Sequence, residues 1–217
     1  MSLRSFIFVT LSTLFVYQSY AQRNYDDYNL LGLQGGLSQT NILTDDFTTE
    51  VGSGFIGGFT SRGAFRNNFD LIYGINFISS SVDILANNGS EDVFVTYSLE
   101  GAQINFLGSF NIVKKHLSLE FGPMLNINGK LKPKSESQNS FVLDGYDTLK
   151  VEDIQDVSKI NFHLAGGITA GLEHFRISAL YQYGVTNLFG KLNDADLEKT
   201  DFEGHVSIVS LAAVLYF

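Results

Sequence analysis

The sequence predicts an all-β fold: an eight-stranded antiparallel up-and-down transmembrane β-barrel with short periplasmic turns and long extracellular loops. Three observations lead there. Apolar residues recur at every second position along most of the chain, which marks strands with one apolar face. Beyond the N-terminal stretch no run of 18 apolar residues occurs. That excludes a transmembrane helix but not a barrel, which crosses lipid by alternation. Finally, the connections between stripes alternate between short and long, as in barrels of the bacterial outer membrane.

The chain begins with a segment that reads as targeting rather than structure. Met1 to Ala21 has a positive Arg4, an apolar stretch from Phe6 to Tyr17, and Ser19 and Ala21 placed for cleavage before Gln22. Residues 1–21 are therefore expected to be a signal peptide, 22–27 a short periplasmic segment, and 28–217 the barrel.

The first stripe sets Leu31, Leu33 and Leu37 against Gly32, Gln34 and Ser38, and the second carries Phe55 and Phe59. The third is the clearest, with Phe69, Leu71, Tyr73, Ile75 and Phe77 all apolar. The fourth sets Val93, Val95, Tyr97 and Leu99 outward, then changes parity to Ile104, Phe106 and Phe110, which suggests a β-bulge at Gly101. Leu117 to Ile127, Ile160 to Leu172 and Ile177 to Val185 repeat the alternation. The last stripe places Val209, Leu211, Ala213, Leu215 and Phe217 outward. These stripes imply strands of about ten residues, enough for a tilted strand to cross hydrocarbon. Short connections lie near Arg62–Asn68, Asn111–His116 and Glu173–His174. The long ones are Thr40–Glu50, Asp83–Asp92, Leu131–Lys159 and Thr186–Gly204.

Composition agrees. With 19 Phe, 21 Gly and only 2 Pro the chain is not disordered, and zero Cys excludes disulfides and thiolate metal sites. The net charge of −9 argues against nucleic acid as a partner. The four long connections hold 17 Asp/Glu and 6 Lys/Arg, so the acidity belongs to one rim. A soluble barrel is the rival fold. It would enclose the Gly, Ser, Asn and Gln face, leaving a wet interior with little to hold it together.

From Tyr97 to Leu125 and from Lys159 to Phe189 the sequence resembles the PorT-like family of small, porin-like outer-membrane β-barrels. The resemblance rests on the Tyr97-Ser98-Leu99-Glu100 step and on Glu120 followed by Gly122-Pro123. It also rests on Phe162, Gly166, Gly171, Tyr181, and Tyr183-Gly184 before Thr186-Asn187. Departures are Gly101-Ala102 and His163. The resemblance implies an outer-membrane location and a link to protein secretion, without an assigned activity.

Candidate functional residues are few. Arg62, Asp70, Glu100, Glu120 and Arg176 are expected to face inward, with Glu100, Glu120 and Arg176 forming a charge cluster that plugs the lumen. Phe59, Phe69, Phe110, Phe175 and Phe217 are expected as a lipid-facing girdle at the short-turn end. Leu215 and Phe217 resemble the C-terminal signal read by the barrel-insertion machinery. An enzymatic alternative would use His163 or His205 with Ser207 or Asp201. Asp194, Asp196 and Glu198 invite a loose Ca²⁺ reading but lack EF-hand spacing, and a solvated loop is preferred. No metal or cofactor is expected. The partners are outer-membrane lipid, the insertion machinery, and another envelope protein through the loop Leu131 to Lys159. That same loop has hairpin signals around Gly145. The expected role is structural, assembly or secretion-accessory, with a narrow solute channel and a lipid-modifying enzyme or protease as alternatives.

Overall fold

The computed structural model describes residues 28–217; the expected signal peptide 1–21 and segment 22–27 lie outside the described residues. The strands are β1 (Asn29–Leu43), β2 (Thr49–Arg66), β3 (Phe69–Asn87), β4 (Asp92–Val113), β5 (Leu117–Pro133), a two-residue β6 (Val142–Leu143), β7 (Ile160–Gly171), β8 (Phe175–Gly184) and β9 (His205–Tyr216). All pair antiparallel. Each barrel strand joins the next, and β9 returns to β1, so eight strands close a ring and β6 lies outside it. Closure removes every sheet edge, which a strand structure needs in lipid. The Leu31 N–H donates to the Phe217 carbonyl at 3.3 Å, and the reverse bond is 2.8 Å. Both described ends therefore meet at the short-turn end.

The outward stripes lie where the periodicity puts them. Leu37 is 73% exposed and Phe217 67%, and Leu31, Phe55, Ile75, Ile104, Phe121, Ile168, Ile177 and Leu211 are exposed beside them. Across strands they pack into aromatic pairs, such as Phe55 with Phe77 at 5.9 Å and Tyr73 with Phe106 at 5.1 Å. A soluble monomer seldom exposes a contiguous apolar patch beyond a few hundred Å². A belt that circles the ring, with amides and charges inside, is the surface of a membrane-spanning barrel. Among the described residues no helix is long and apolar enough to cross a membrane.

The strands are longer than the membrane requires, and here the structure corrects the sequence reading. β2 to β5 run 18, 19, 22 and 17 residues. Two of the four expected long loops are consequently tight turns, 44–48 and 88–91, because their flanks continue as strand. The sidedness of β4 is also corrected. Val95, Tyr97 and Leu99 point inward and are buried, and the same parity continues through Gln103, Asn105 and Leu107. No parity change occurs in β4. The hydrophobic pattern inverts along a continuous strand: apolar outside near the turns, apolar inside near the loops. β3 does the same, with Asp70, Gly74 and Asn76 inward at one end and Val82, Ile84 and Ala86 inward at the other. The inversion marks the level at which lipid gives way to water on the outside. A bulge does exist, but on the partner strand: Leu99 to Gly101 of β4 faces Leu131 to Asn128 of β5, so Gly129 and Lys130 hold the extra residue.

The inward apolar ends are covered by the two remaining loops. After β5 the chain crosses the mouth and β6 pairs with Ala86 and Asn87 of β3. A short hairpin forms there as the sequence suggested, Val142 facing Lys150 across a turn in which Gly145 has φ +86°. A β-branched residue is strained in that left-handed region. Gly145→Val is expected to destabilise the hairpin by about 1–2 kcal/mol, read as faster proteolytic nicking of residues 140–150 with the barrel intact.

Candidate functional site

The lumen is filled in layers, and the layers are the candidate site. At the short-turn end lies a buried ion network. Arg62, on β2, is 0% exposed. Its Nη1 donates to Asp70 Oδ2 at 3.1 Å and to Ser109 Oγ at 3.0 Å, and its Nη2 to Glu120 Oε1. Asn111 Nδ2 adds a bond to the same Asp70 oxygen at 3.0 Å. The guanidinium lies over the Tyr216 ring, 6.0 Å from its centroid. Arg176, at 1% exposure, points into the same end of the lumen. Charges taken out of water must be paired, and Arg62 supplies the fork geometry that serves two carboxylates at once.

The predicted triad of Glu100, Glu120 and Arg176 is thus corrected. Glu120 and Arg176 are buried as expected, but Glu100 is exposed. It follows the outward parity of β4, on the polar stretch with Thr96 and Ser98. Its place is taken by Arg62 and Asp70. Both alternate inward in sequence, but only the register, with Arg62 opposite Ile72 and Asp70 opposite Ser109, brings them to Glu120.

Above the ions is a small internal space of about 30 Å³, lined in part by Glu120, Asn76, Asn105, Thr169, Ser178 and Tyr216. That is room for one or two waters. An amide layer follows. Gln103 Nε2 donates to Asn126 Oδ1 at 2.9 Å and to Gln182 Oε1 at 2.8 Å, and Asn126 Nδ2 lies 3.1 Å from His163 Nε2.

The third layer is an apolar cap that the sequence reading missed. Ile42, Val82, Ile84, Val95, Tyr97 and Leu131 of the barrel wall pack against Leu143, Leu149, Val151, Ile154, Val157, Leu188, Phe189, Leu192 and Phe202 of the loops. Phe47 stacks on Phe202 at 5.6 Å and meets Phe189 edge-on at 5.2 Å. The loop residues Leu143 and Leu149, assigned in part to partner contact, are buried in this core, while Phe141 and Tyr146 stay half-buried against it. The missed signal was their spacing: isolated apolar residues every few positions inside acidic loops.

Polar bonds clasp the loops together. Glu198 accepts the backbone N–H groups of Asp147 (3.0 Å), Thr148 (2.7 Å) and Leu149 (3.1 Å), plus the Thr148 hydroxyl. These donors, the Asp147 N–H foremost, hold its carboxyl down at about 2. Lys199 next to it pairs with Asp46. A carboxylate whose pKa is depressed on folding stabilises above its ordinary value near 4.3, and that contribution is lost as pH falls toward 2. Protease protection of the 144–150 turn is expected to fall between pH 5 and pH 2, and Glu198→Gln to lose protection already at neutral pH.

The remaining assignments separate. Phe69, Phe110, Phe175 and Phe217 sit at or near strand ends on the short-turn side and face out, joined by Phe65, whose ring lies 6.4 Å from Phe69. Phe59 is exposed but stands opposite Leu33 and Ile75, in mid-belt rather than in the end girdle. Its strand continues to Arg66, further than its stripe indicated. Leu215 and Phe217 both face out. The catalytic alternative is not assembled: His163 is buried against Asn126, Ser207 Oγ donates to Tyr181 Oη at 3.3 Å, and His205 Nε2 lies 3.1 Å from Glu203. Among the described residues no group of three or more His, Asp or Glu is arranged to hold a metal ion.

No protein-family model matches the sequence, and no curated protein matches it significantly. Solved structures do. The attachment invasion locus protein Ail of Yersinia pestis shares 16% identity, with 87% of this chain and 99% of that one covered and a TM-score of 0.47. Neisserial surface protein A shares 12% over 86% and 97%, with a TM-score of 0.46. The translocator domain of the autotransporter NalP from Neisseria meningitidis shares 10% over 99% and 97%, at 0.31. At such identities and scores no role of these proteins transfers to the chain.

Proposed function

We propose that the chain is an integral outer-membrane β-barrel of the PorT-like kind, with a structural, assembly or secretion-accessory role exercised through its folded rim rather than through its lumen. The observation that supports this reading is the filling of the lumen by three successive layers: an ion network, an amide layer and an apolar cap. A barrel of eight strands has room for side chains and little else. The charge asymmetry agrees, since the acidic loops are stitched into one rigid surface at the end away from the short turns. Rigid, preorganised surfaces bind without a large ordering cost. We take the non-enzymatic reading for the same reason: the residues that would make an acyl-transfer set are spread over the inside and outside of the wall.

Two measurements test this. The purified barrel in planar bilayers is expected to show no steady conductance, and liposomes carrying it no uptake of small sugars; a stable open level would favour the narrow channel instead. Crosslinking from intact outer membranes is expected to capture an envelope protein through positions on the rim, such as Asp201 or Ser137, and not through belt positions. Equal capture from both surfaces, or from neither, would sink the accessory role.

A further inference from the structure

We propose that the face where β5 leaves the lipid belt, beside the start of β7, docks a phosphate-bearing lipid of the outer leaflet, its headgroup held by Lys130, Lys132 and Lys159. The belt ends there on an exposed cross-strand pair, Ile127 opposite Ile160, with Phe162 exposed two residues along β7. Just beyond it, residues 128–134 and 157–160 carry Lys130, Lys132, Lys134 and Lys159 and no acid. Leu131 is buried inward, so Lys130 and Lys132 flank it on the outside. All four lysines are exposed, and among the described residues none is in an ion pair. Lys130 and Lys159 share one neighbourhood. Both act on the Asp156 carboxyl, which a 2.6 Å bond from Lys191 foremost holds below its ordinary range. That bond occupies Asp156. Glu100, across the bulge on β4, offsets part of the charge and leaves lysine in excess.

Height decides the occupant. The headgroup layer outside the hydrocarbon is about 5–8 Å deep. Lys159 adjoins Ile160 and Lys130 stands three residues past Ile127, so both side chains reach that layer by lying along the wall. Lys132 follows about 7 Å further along the strand. Acyl chains below would meet Ile127, Ile160 and Phe162 while the phosphate above meets the lysines. Clustered lysines at a membrane surface attract anionic headgroups in this way. Across the ring the charge reverses: the β1–β2 turn and the approach to β9 hold Asp45, Asp46, Asp201 and Glu203, and Lys199 there is paired with Asp46. That side repels a phosphate layer, so the β5–β7 side is the one it selects. An acidic protein segment would have no need of the apolar pair beneath the lysines.

The test uses the full-length barrel folded in neutral-detergent micelles. The probes are lipid A carrying its phosphates and the same lipid after phosphatase treatment, with bound lipid counted by native mass spectrometry. The phosphorylated form is expected to bind at least tenfold tighter. Each Lys→Gln change at 130, 132 or 159 is expected to weaken it about fivefold, and all three together on the order of a hundredfold. Lys150→Gln, an exposed lysine of the hairpin over the mouth, is expected to leave binding unchanged. Equal binding of the two lipids, or a triple variant that binds like wild type, overturns the site and leaves the basic face to an acidic protein segment. Displacement by millimolar inorganic phosphate overturns the lipid as the source of the anion. The heat-dependent mobility shift, retained in each variant, separates these outcomes from loss of the barrel. The proposal rests on the outer-membrane location and not on the accessory role, which would survive its failure.

Discussion

Arg62→Met is expected to be the most damaging single substitution in the lumen. It removes no packing volume to speak of, but it strands Asp70 and Glu120, both buried and both bonded to Arg62. Breaking a buried pair by deleting one partner costs about 3–5 kcal/mol, because the survivor keeps its desolvation penalty without its Coulomb reward. With two carboxylates stranded the loss is expected at or above the top of that range. It is read as a fall in the urea midpoint of the refolded barrel. The control follows from the same physics. Replacing every charge of the layer by a neutral group, as in R62M/D70N/E120Q/R176M, is expected to recover most of the loss, since neutral side chains of similar shape leave no unpaired charge. A single variant within 1 kcal/mol of wild type, or a quadruple variant no better than the single, would refute the network. Arg176→Met strands no described carboxylate and is expected to cost far less.

Strand number, order and outward stripes were legible in the sequence because lipid imposes one rule along each crossing: every second residue apolar. Leu31, Leu33 and Leu37 follow it, as do Val209, Leu211, Leu215 and Phe217, although Val214 and Tyr216 make the last strand apolar on its inner face as well. The rule stops at the membrane surface, and the sequence does not announce where that is. Val95, Tyr97 and Leu99 look like another lipid-facing stripe, yet they face a protein core because water, not lipid, bathes the other side of β4. The invented parity change at Gly101 was the price of applying the lipid rule too far. Glu100 was misplaced by the same error, since its sidedness follows from that of Leu99. Arg62 and Asp70 were recognisable as inward charges, but which inward charges meet depends on cross-strand register. Register is set by turn length and bulges such as those near Arg66 and Gly129, which single-strand periodicity cannot weigh.

The cap is where the largest effect outside the lumen is expected. Phe202 is 1% exposed and touches both Phe47 and Tyr146, so one ring joins the 44–48 turn to the two long loops. Its backbone is fixed as well: the N–H donates to Asn193 Oδ1 at 2.7 Å, and the carbonyl accepts from Asn187 Nδ2 at 2.7 Å. Those bonds keep the backbone in place when the ring is removed, so the surrounding side chains cannot collapse fully into the space. Truncation of a buried Phe in such a setting costs about 3–5 kcal/mol. The cap and the belt are held by different forces, one by burial inside protein and the other by lipid and the closed ladder of strand pairs. Phe202→Ala is therefore expected to release the cap without unfolding the barrel. Limited proteolysis would then cut within 134–159 and 185–204, while the heat-dependent shift in electrophoretic mobility that reports a folded barrel stays unchanged. The same variant is expected to remain electrically silent, because the amide layer and the Arg62 network lie beneath the cap and close the lumen by themselves. Loss of the mobility shift together with the loops would mean that cap and belt are one cooperative unit. A conducting Phe202→Ala barrel would mean that the cap alone keeps the lumen shut.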